Sequence, residues 1–234
     1  MDLFVGTSGY SYKQWKGHFY PEDLPESEML AFYGTQFRSV EINNTFYRMP
    51  KRETVEKWRE VVPKDFSFVL KAPQRITHQR RLKGAEADVE YFLSVRGALG
   101  DSPGPVLFQL PPFLKKDLAR LKEFLALLPK GLRAAFEFRH DSWFEDDVFE
   151  ALAAGGAALC HADTEETTPE IFHATSDWGY LRLRRPEYEE ATLLEWAQRI
   201  RSQSWSAAWV FFKHEDEGKG PALARRFLKA AAQG

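Results

Sequence analysis

The chain has 234 residues, 44% hydrophobic and 15% aromatic, which is apolar material for a large core and a length that suits one α/β barrel domain spanning residues 1–234. Its 32 basic and 34 acidic residues leave a formal net charge of −2, so no global field favours nucleic acid or an anionic membrane, and any anion site must be local. The lone cysteine, Cys160, excludes an internal disulfide and a multi-cysteine cluster. With no basic, apolar leader in Met1 to Tyr10 and no run of about 18 apolar residues, the expectation is a cytoplasmic protein without a membrane segment.

In chain order, Leu3 to Val5 reads as a short strand ending in Gly6-Thr7-Ser8-Gly9-Tyr10. Glycines there permit close backbone approach to a ligand, which makes Thr7 and Ser8 candidate contacts, although the spacing is that of neither the P-loop nor the dinucleotide fingerprint. The loop runs on through Tyr12, Trp15, Phe19 and Tyr20, aromatics that suit either a stacking platform or the plug of a long loop. Glu26 to Gln36 reads as a helix. In the strand Ser39 to Asn43, period two puts Val40 and Ile42 on one face and Glu41 and Asn43 on the other. A carboxylate on an interior face must meet a cation, a proton, a metal or a ligand, unless Glu41 only ties down its own loop through backbone N–H groups. Phe46 and Tyr47 follow directly in the next loop.

Arg52 to Val61 predicts a helix stopped by Pro63, and Asp65 to Lys71 a strand with Phe66, Phe68 and Leu70 on one face and Ser67, Val69 and Lys71 on the other, followed by Thr77-His78. Next come a helix over Glu86 to Leu99, a strand over Gly104 to Leu110 with Gln109 as its interior polar residue, and a helix over Lys116 to Leu128. Leu132 to Phe138 repeats the earlier device: Phe136 and Phe138 on one face, Ala135, Glu137 and Arg139 on the other, then a loop with His140 and Trp143. Glu145 to Ala154 reads as a helix and Gly156 to Cys160 as a strand running into His161, Ala162 and Asp163. Thr164 to Trp178 holds Pro169 and no clean period, so the crossover helix is short or absent there. Gly179 to Arg185 sets Leu181 and Leu183 against Tyr180, Arg182 and Arg184. A helix over Tyr188 to Gln203, a strand over Ala207 to Lys213 and a helix over Pro221 to Ala232 complete the chain.

Strands alternate with helical patterns about eight times, the signature of a parallel sheet wound with helices. Charged triplets on single strand faces favour a closed TIM-type (β/α)8 barrel, somewhat irregular after the sixth strand, over an open sheet buried on both faces. GTSGYSYKQWKGHFYP, VEINNTFYRMP, FVLKAPQRITH, GPVLFQLPP, AFEFRHDSW and YLRLR, in this order, resemble the motifs of the YecE-like family, known as domain of unknown function 72, over nearly the whole chain. The resemblance implies a TIM-type barrel and, the family being uncharacterised, no reaction. It also marks two departures: Arg182-Leu183-Arg184-Arg185 stands where members usually carry Arg-x-His-Gly, and Phe212-Lys213-His214 where they commonly carry Phe-Asn-Asn.

The pooled interior set is Glu41, Asn43, Lys71, Gln109, Glu137, Arg139, Asp163, Arg182 and Lys213, with His78, His140 and His161 nearby. Glu41, Glu137 and Asp163 are the expected catalytic acids and bases, since carboxylates whose pKa values are driven apart can divide those roles. Arg139, Arg182 and Lys71 suit a carboxylate or phosphate, and Tyr12, Trp15, Phe46, Tyr47 and Trp143 could stack a sugar or a nucleobase. The pattern points to a metal-independent lyase, isomerase or hydrolase without a cofactor, acting on a small anionic or carbohydrate-like molecule; a salt-bridge lattice that only closes the barrel top is the structural alternative. Glu41, Glu137, Asp163 and His161 could instead hold a divalent metal, against the repulsion of Lys71, Arg139 and Arg182. A non-catalytic protein binding a ligand or single-stranded nucleic acid is the third reading, disfavoured by the lack of a basic stripe.

Overall fold

The computed structural model describes residues 1–100, 104–165 and 172–233. Eight parallel strands, β1 (Asp2–Thr7), β2 (Ser39–Ile42), β3 (Ser67–Lys71), β4 (Val106–Gln109), β5 (Ala134–Glu137), β6 (Ala158–Asp163), β7 (Trp178–Leu183) and β8 (Ala207–Phe212), lie in the order β1-β8-β7-β6-β5-β4-β3-β2. Helices α1 (Met29–Gln36), α2 (Arg52–Glu60), α3 (Glu86–Arg96), α4 (Leu118–Leu127), α5 (Asp146–Ala154), α6 (Glu190–Arg201) and α7 (Lys219–Gln233) surround them. This is a TIM-type barrel. The β6–β7 connection holds no helix among the described residues, in keeping with the missing period there; part of that stretch, 166–171, lies outside them. No helix among the described residues is long and apolar enough to cross a membrane.

Strand alternation divides the core into two. Outward residues such as Phe68, Phe108, Phe136, Leu181 and Phe212 pack with the helices, while Val69, Leu107, Ala135, Cys160, Trp178, Tyr180, Trp209 and Phe211 fill the lumen. The lumen floor is aromatic: Phe4 stacks on Trp209 at 4.8 Å, Trp178 meets Trp209 edge-on, and Trp209 Nε1 donates to Ser67 Oγ at 2.9 Å. Each such buried ring contributes roughly 2–3 kcal/mol, so the barrel is a packed support for its upper end rather than a pore.

Closure is achieved differently from the rest of the wall. β1 and β2 meet at one bridge, Ser8 opposite Glu41, with the Gly9 N–H donating to the Glu41 carbonyl at 2.8 Å. Below it the Tyr33 hydroxyl replaces the ladder, accepting from Thr7 N–H (2.8 Å) and donating to the Ser39 carbonyl (3.1 Å). The strands come so close that a Cβ on Gly6 would lie 1.9 Å from the Ser39 oxygen, so only glycine fits.

Candidate functional site

Glu41 on β2, Glu137 on β5 and Arg182 on β7 occupy inward positions of well-separated strands, and their side chains reach across the lumen to meet. Arg182 Nη1 lies 2.5 Å from Glu137 Oε2 and its Nη2 2.8 Å from Glu41 Oε1. Glu41 also accepts from Ser8 Oγ (2.7 Å), Tyr180 OH (2.6 Å) and Asn43 Nδ2 (3.1 Å). On the far side, Glu137 Oε1 accepts from Arg139 Nε at 2.7 Å, with Arg184 at 3.9 Å. Glu41 and Glu137 are fully buried and Arg182 is 2% exposed, so each charge is solvated by its partners rather than by water.

The electrostatics follow from that burial. Desolvation alone would raise the Glu41 pKa, but Arg182, with the hydrogen bonds from Tyr180 and Ser8, outweighs it and holds the carboxyl below the usual range. Burial likewise opposes ionisation of Glu137, yet Arg182, Arg139 and Arg184 pull it down to about 2. Both are ionised at neutral pH, and neither offers a proton. Their geometry suits them to orienting guanidinium groups.

Around the triad, the C-terminal strand ends present further cations. The Lys71 ammonium lies 4.1 Å from the Phe46 ring centroid and has no carboxylate partner among the described residues. Burial, with Arg182 adding repulsion, lowers its pKa to about 8. Burial and Arg182 also lower the pKa of Arg184, and burial and Arg184 that of Lys213. Glu215, on the rim, offsets Lys213 in part. His78 sits edge-on to Phe46 at 4.8 Å between ring centroids, its Nδ1 2.9 Å from the Thr77 hydroxyl; burial, Lys71 and Arg139 keep it neutral. Gln109, half-buried, stands level with Glu137 in the register. Tyr12 is anchored by its hydroxyl to the Ser8 carbonyl, its pKa raised to about 12 by burial, Glu215 and Glu41, and Tyr47 is 74% exposed on the rim.

Several expected site residues lie elsewhere. Asp163 is level with Leu183, on the helix-facing side of the wall, where Arg185 Nε (2.8 Å) and the Tyr188 hydroxyl (2.9 Å) donate to it; it is not part of the lumen cluster. His161 shares that outward parity and stacks on Phe172. Thr7 also faces outward, bonding the Gly9 carbonyl and Tyr33, whereas its neighbour Ser8 faces in. Trp15 and Trp143 are each 1% exposed: Trp15 is a plug among Phe19 and Tyr20 whose Nε1 donates to the Glu215 carbonyl, and Trp143 stacks on the outward Phe138 and donates to the Leu114 carbonyl. Neither can stack a ligand. His140 caps the turn that follows β5, its Nδ1 accepting from Ser142 N–H. Arg184 and Tyr180 are the residues that site reasoning left out, although alternation along β7 already put both on the face of Arg182.

The metal alternative meets an obstacle in the donor set. Among the described residues no three His, Cys, Asp or Glu side chains come together to hold an ion, and the guanidinium of Arg182 lies between Glu41 and Glu137.

The family model described as "Protein of unknown function DUF72" matches residues 4–234. Among curated relatives, UPF0759 protein YecE of Escherichia coli K12 is 37% identical over 116 residues, 49% of this chain and 43% of that protein. UPF0759 protein YunF of Bacillus subtilis strain 168 is 28% identical over 158 residues, 63% of this chain and 54% of that one, so the chain spans about half the length of these relatives. A crystal structure of a DUF72 family protein from Thermotoga maritima MSB8 superposes with a TM-score of 0.89 at 27% identity, covering 100% of both chains. One from Enterococcus faecalis V583 gives 0.79 at 18% identity over 99% of this chain and 96% of that one, a likeness of fold.

Proposed function

We propose, for a chain that belongs to the DUF72 family of proteins of unknown function, that the barrel mouth binds a small anionic or sugar-like molecule and that the protein is a metal-independent enzyme of the lyase, isomerase or hydrolase kind. One observation carries the reading. Lys71, Arg139, Arg182, Arg184 and Lys213 converge where Glu41, Glu137 and, on the rim, Glu215 are the carboxylates, so the cations outnumber the acids and the pocket keeps a positive potential. The location supports it, because the C-terminal face of such a barrel is where its strand ends and loops form active sites. In this reading Glu41 and Glu137 are positioning residues that fix Arg182. Arg139, Arg184 and Lys71 hold the anion, Asn43, Gln109 and His78 supply polar contacts, and Tyr12, Phe46 and Tyr47 flank the ligand. The reduced Cys160 inside the lumen fits a cytoplasmic setting.

Thermal denaturation with added inorganic phosphate or sulfate tests the proposal. A ligand at ten times its Kd stabilises by about 1.4 kcal/mol through mass action. The shift should vanish in Arg184→Ala and persist in Glu41→Gln. Equal shifts in wild type and Arg184→Ala, or none in either, would make the charges a structural lattice.

A further inference from the structure

Lys71 differs from the other cations of the mouth in three respects. Arg182, Arg139 and Arg184 all have Glu137 within ion-pair distance, whereas the Lys71 ammonium contacts an aromatic face and no carboxylate among the described residues; Lys213 likewise has no carboxylate within ion-pair distance there, but no aromatic face meets its ammonium. Its backbone is fixed at the end of β3, where its carbonyl accepts from Thr45 Oγ1 at 2.6 Å, and Thr45 is the middle residue of the helical turn Asn44–Phe46 that carries Phe46. The same Phe46 ring meets His78 on its edge, so an amine and a neutral imidazole are gathered around one apolar platform. The Thr77 hydroxyl occupies His78 Nδ1, and Nε2 has no partner among the described residues. A half-buried amine, a neutral imidazole and neighbouring guanidinium groups are the parts needed to hold an anionic carbonyl compound and attack it covalently.

Building on the anion-binding reading above, we propose that Lys71 is a covalent nucleophile that forms an imine with an aldehyde or ketone bearing a carboxylate or phosphate, with Arg139 and Arg184 holding the anionic group. The Nζ lone pair attacks the carbonyl carbon, a C–N bond forms, and the carbonyl π pair moves to oxygen. One proton that the nitrogen sheds passes through His78 to that oxygen, giving the hydroxyl of a carbinolamine. A second proton, taken from solvent through His78, goes to that hydroxyl as the nitrogen lone pair forms the C=N bond, the C–O bond breaks, and water leaves the protonated imine. The protonated imine is an electron sink for cleavage of the adjacent C–C or C–H bond, and water releases the product from the lysine; no oxidant or reductant is consumed. This confines the chemistry to lyase or isomerase steps next to a carbonyl.

Four charged groups set the ionisation of Lys71: Arg182 and Arg184 from β7 and its continuation disfavour the ammonium, and Glu41 from β2 and Glu137 from β5 favour it; His78 faces it while neutral. Desolvation dominates, and at pH 7 a lysine of pKa about 8 has about two hundred times the free amine of an ordinary exposed lysine.

The test is reductive trapping: wild type incubated at pH 7 with glyoxylate and sodium cyanoborohydride, then peptide mass spectrometry. Lys71 should carry the adduct at least about tenfold above any other lysine, since lower basicity gives back part of the amine advantage. Labelling should saturate, be displaced by inorganic phosphate, and fall in Arg139→Ala. In Lys71→Met, checked for folding by its thermal transition, the dominant adduct should vanish. Labelling spread evenly over surface lysines would overturn the proposal, as would Lys71 labelling that phosphate leaves unchanged. Propanal separates this from the anion reading. Selective trapping of Lys71 by uncharged propanal, without phosphate stabilisation, keeps the nucleophile and removes the anion site. Phosphate stabilisation without selective trapping does the reverse.

Discussion

Replacing Arg182 by methionine removes the charge that lets two carboxylates lie in the lumen. Glu137 would retain Arg139 and Arg184, but Glu41 would be left with only the neutral donors Ser8, Tyr180 and Asn43. Breaking a buried pair in this way costs about 3–5 kcal/mol, and for a chain of this size each kcal/mol lowers Tm by about 2–4 °C, so a fall of roughly 6–20 °C is expected at pH 7.5. The pH dependence carries the sign. In wild type the Glu41 and Glu137 pKa values lie below the ordinary carboxylate value, so their contribution is present above about pH 4.3 and is lost as pH falls through the lowered values. Without Arg182, burial of Glu41 is no longer outweighed and its folded pKa rises above the ordinary value. The penalty is then largest at high pH and shrinks as the carboxyl takes up a proton. Urea melts of both proteins at pH 7.5 and pH 5 should therefore converge, and Arg182→Met/Glu41→Gln should recover about 1–2 kcal/mol at pH 7.5. An Arg182→Met protein within about 1 kcal/mol of wild type at both pH values would refute the account of the triad.

Lys71→Met should be as stable as wild type or more stable by about 1 kcal/mol at pH 7, because a desolvated ammonium is removed. Since the folded pKa of Lys71 is lowered, its penalty is present below about pH 8 and is relieved as pH rises toward 10.5, so the gain should fade over that window in urea melts. Asp163→Ala should lose about 2–3 kcal/mol through Arg185 and Tyr188 while keeping the full phosphate-induced Tm shift, which separates a structural carboxylate from one in the pocket. Gly6→Ala forces a Cβ into the Ser39 carbonyl and should cost about 3 kcal/mol or more, read as loss of the cooperative thermal transition near physiological temperature.

Period two along the strands made the barrel and the triad legible. Val40/Ile42 against Glu41, Phe136/Phe138 against Glu137, and Leu181/Leu183 against Arg182 each identify an inner and an outer face, and the structure puts all three charged residues at one point. Where the same rule was not carried to the end of a strand, the reading failed. Ala158, Cys160 and Ala162 share one parity in β6, so Asp163 had to face the helices; Arg184 already stood on the face of Arg182 and is missing only from the pooled interior set. Trp15 and Trp143 lie in loops, which have no alternation to show which way a ring points. In each case the indole N–H found a backbone carbonyl, at Glu215 and Leu114, and the ring went into the core.

The uneven closure of the wall bears on how the chain is made. β1 pairs with β8 along its whole length, from Asp2 opposite Ala207 to Thr7 opposite Phe212, but meets β2 at a single bridge. The first of the eight barrel strands to be synthesised therefore waits for the eighth, about two hundred residues further on, and until then Glu41 lacks a settled Ser8 and the closed wall that holds Arg182 against it. Contacts so distant along the chain close slowly and together. Refolding should show β1 amides protected from hydrogen exchange in the final phase, with the charged triad assembled in that same step rather than strand by strand.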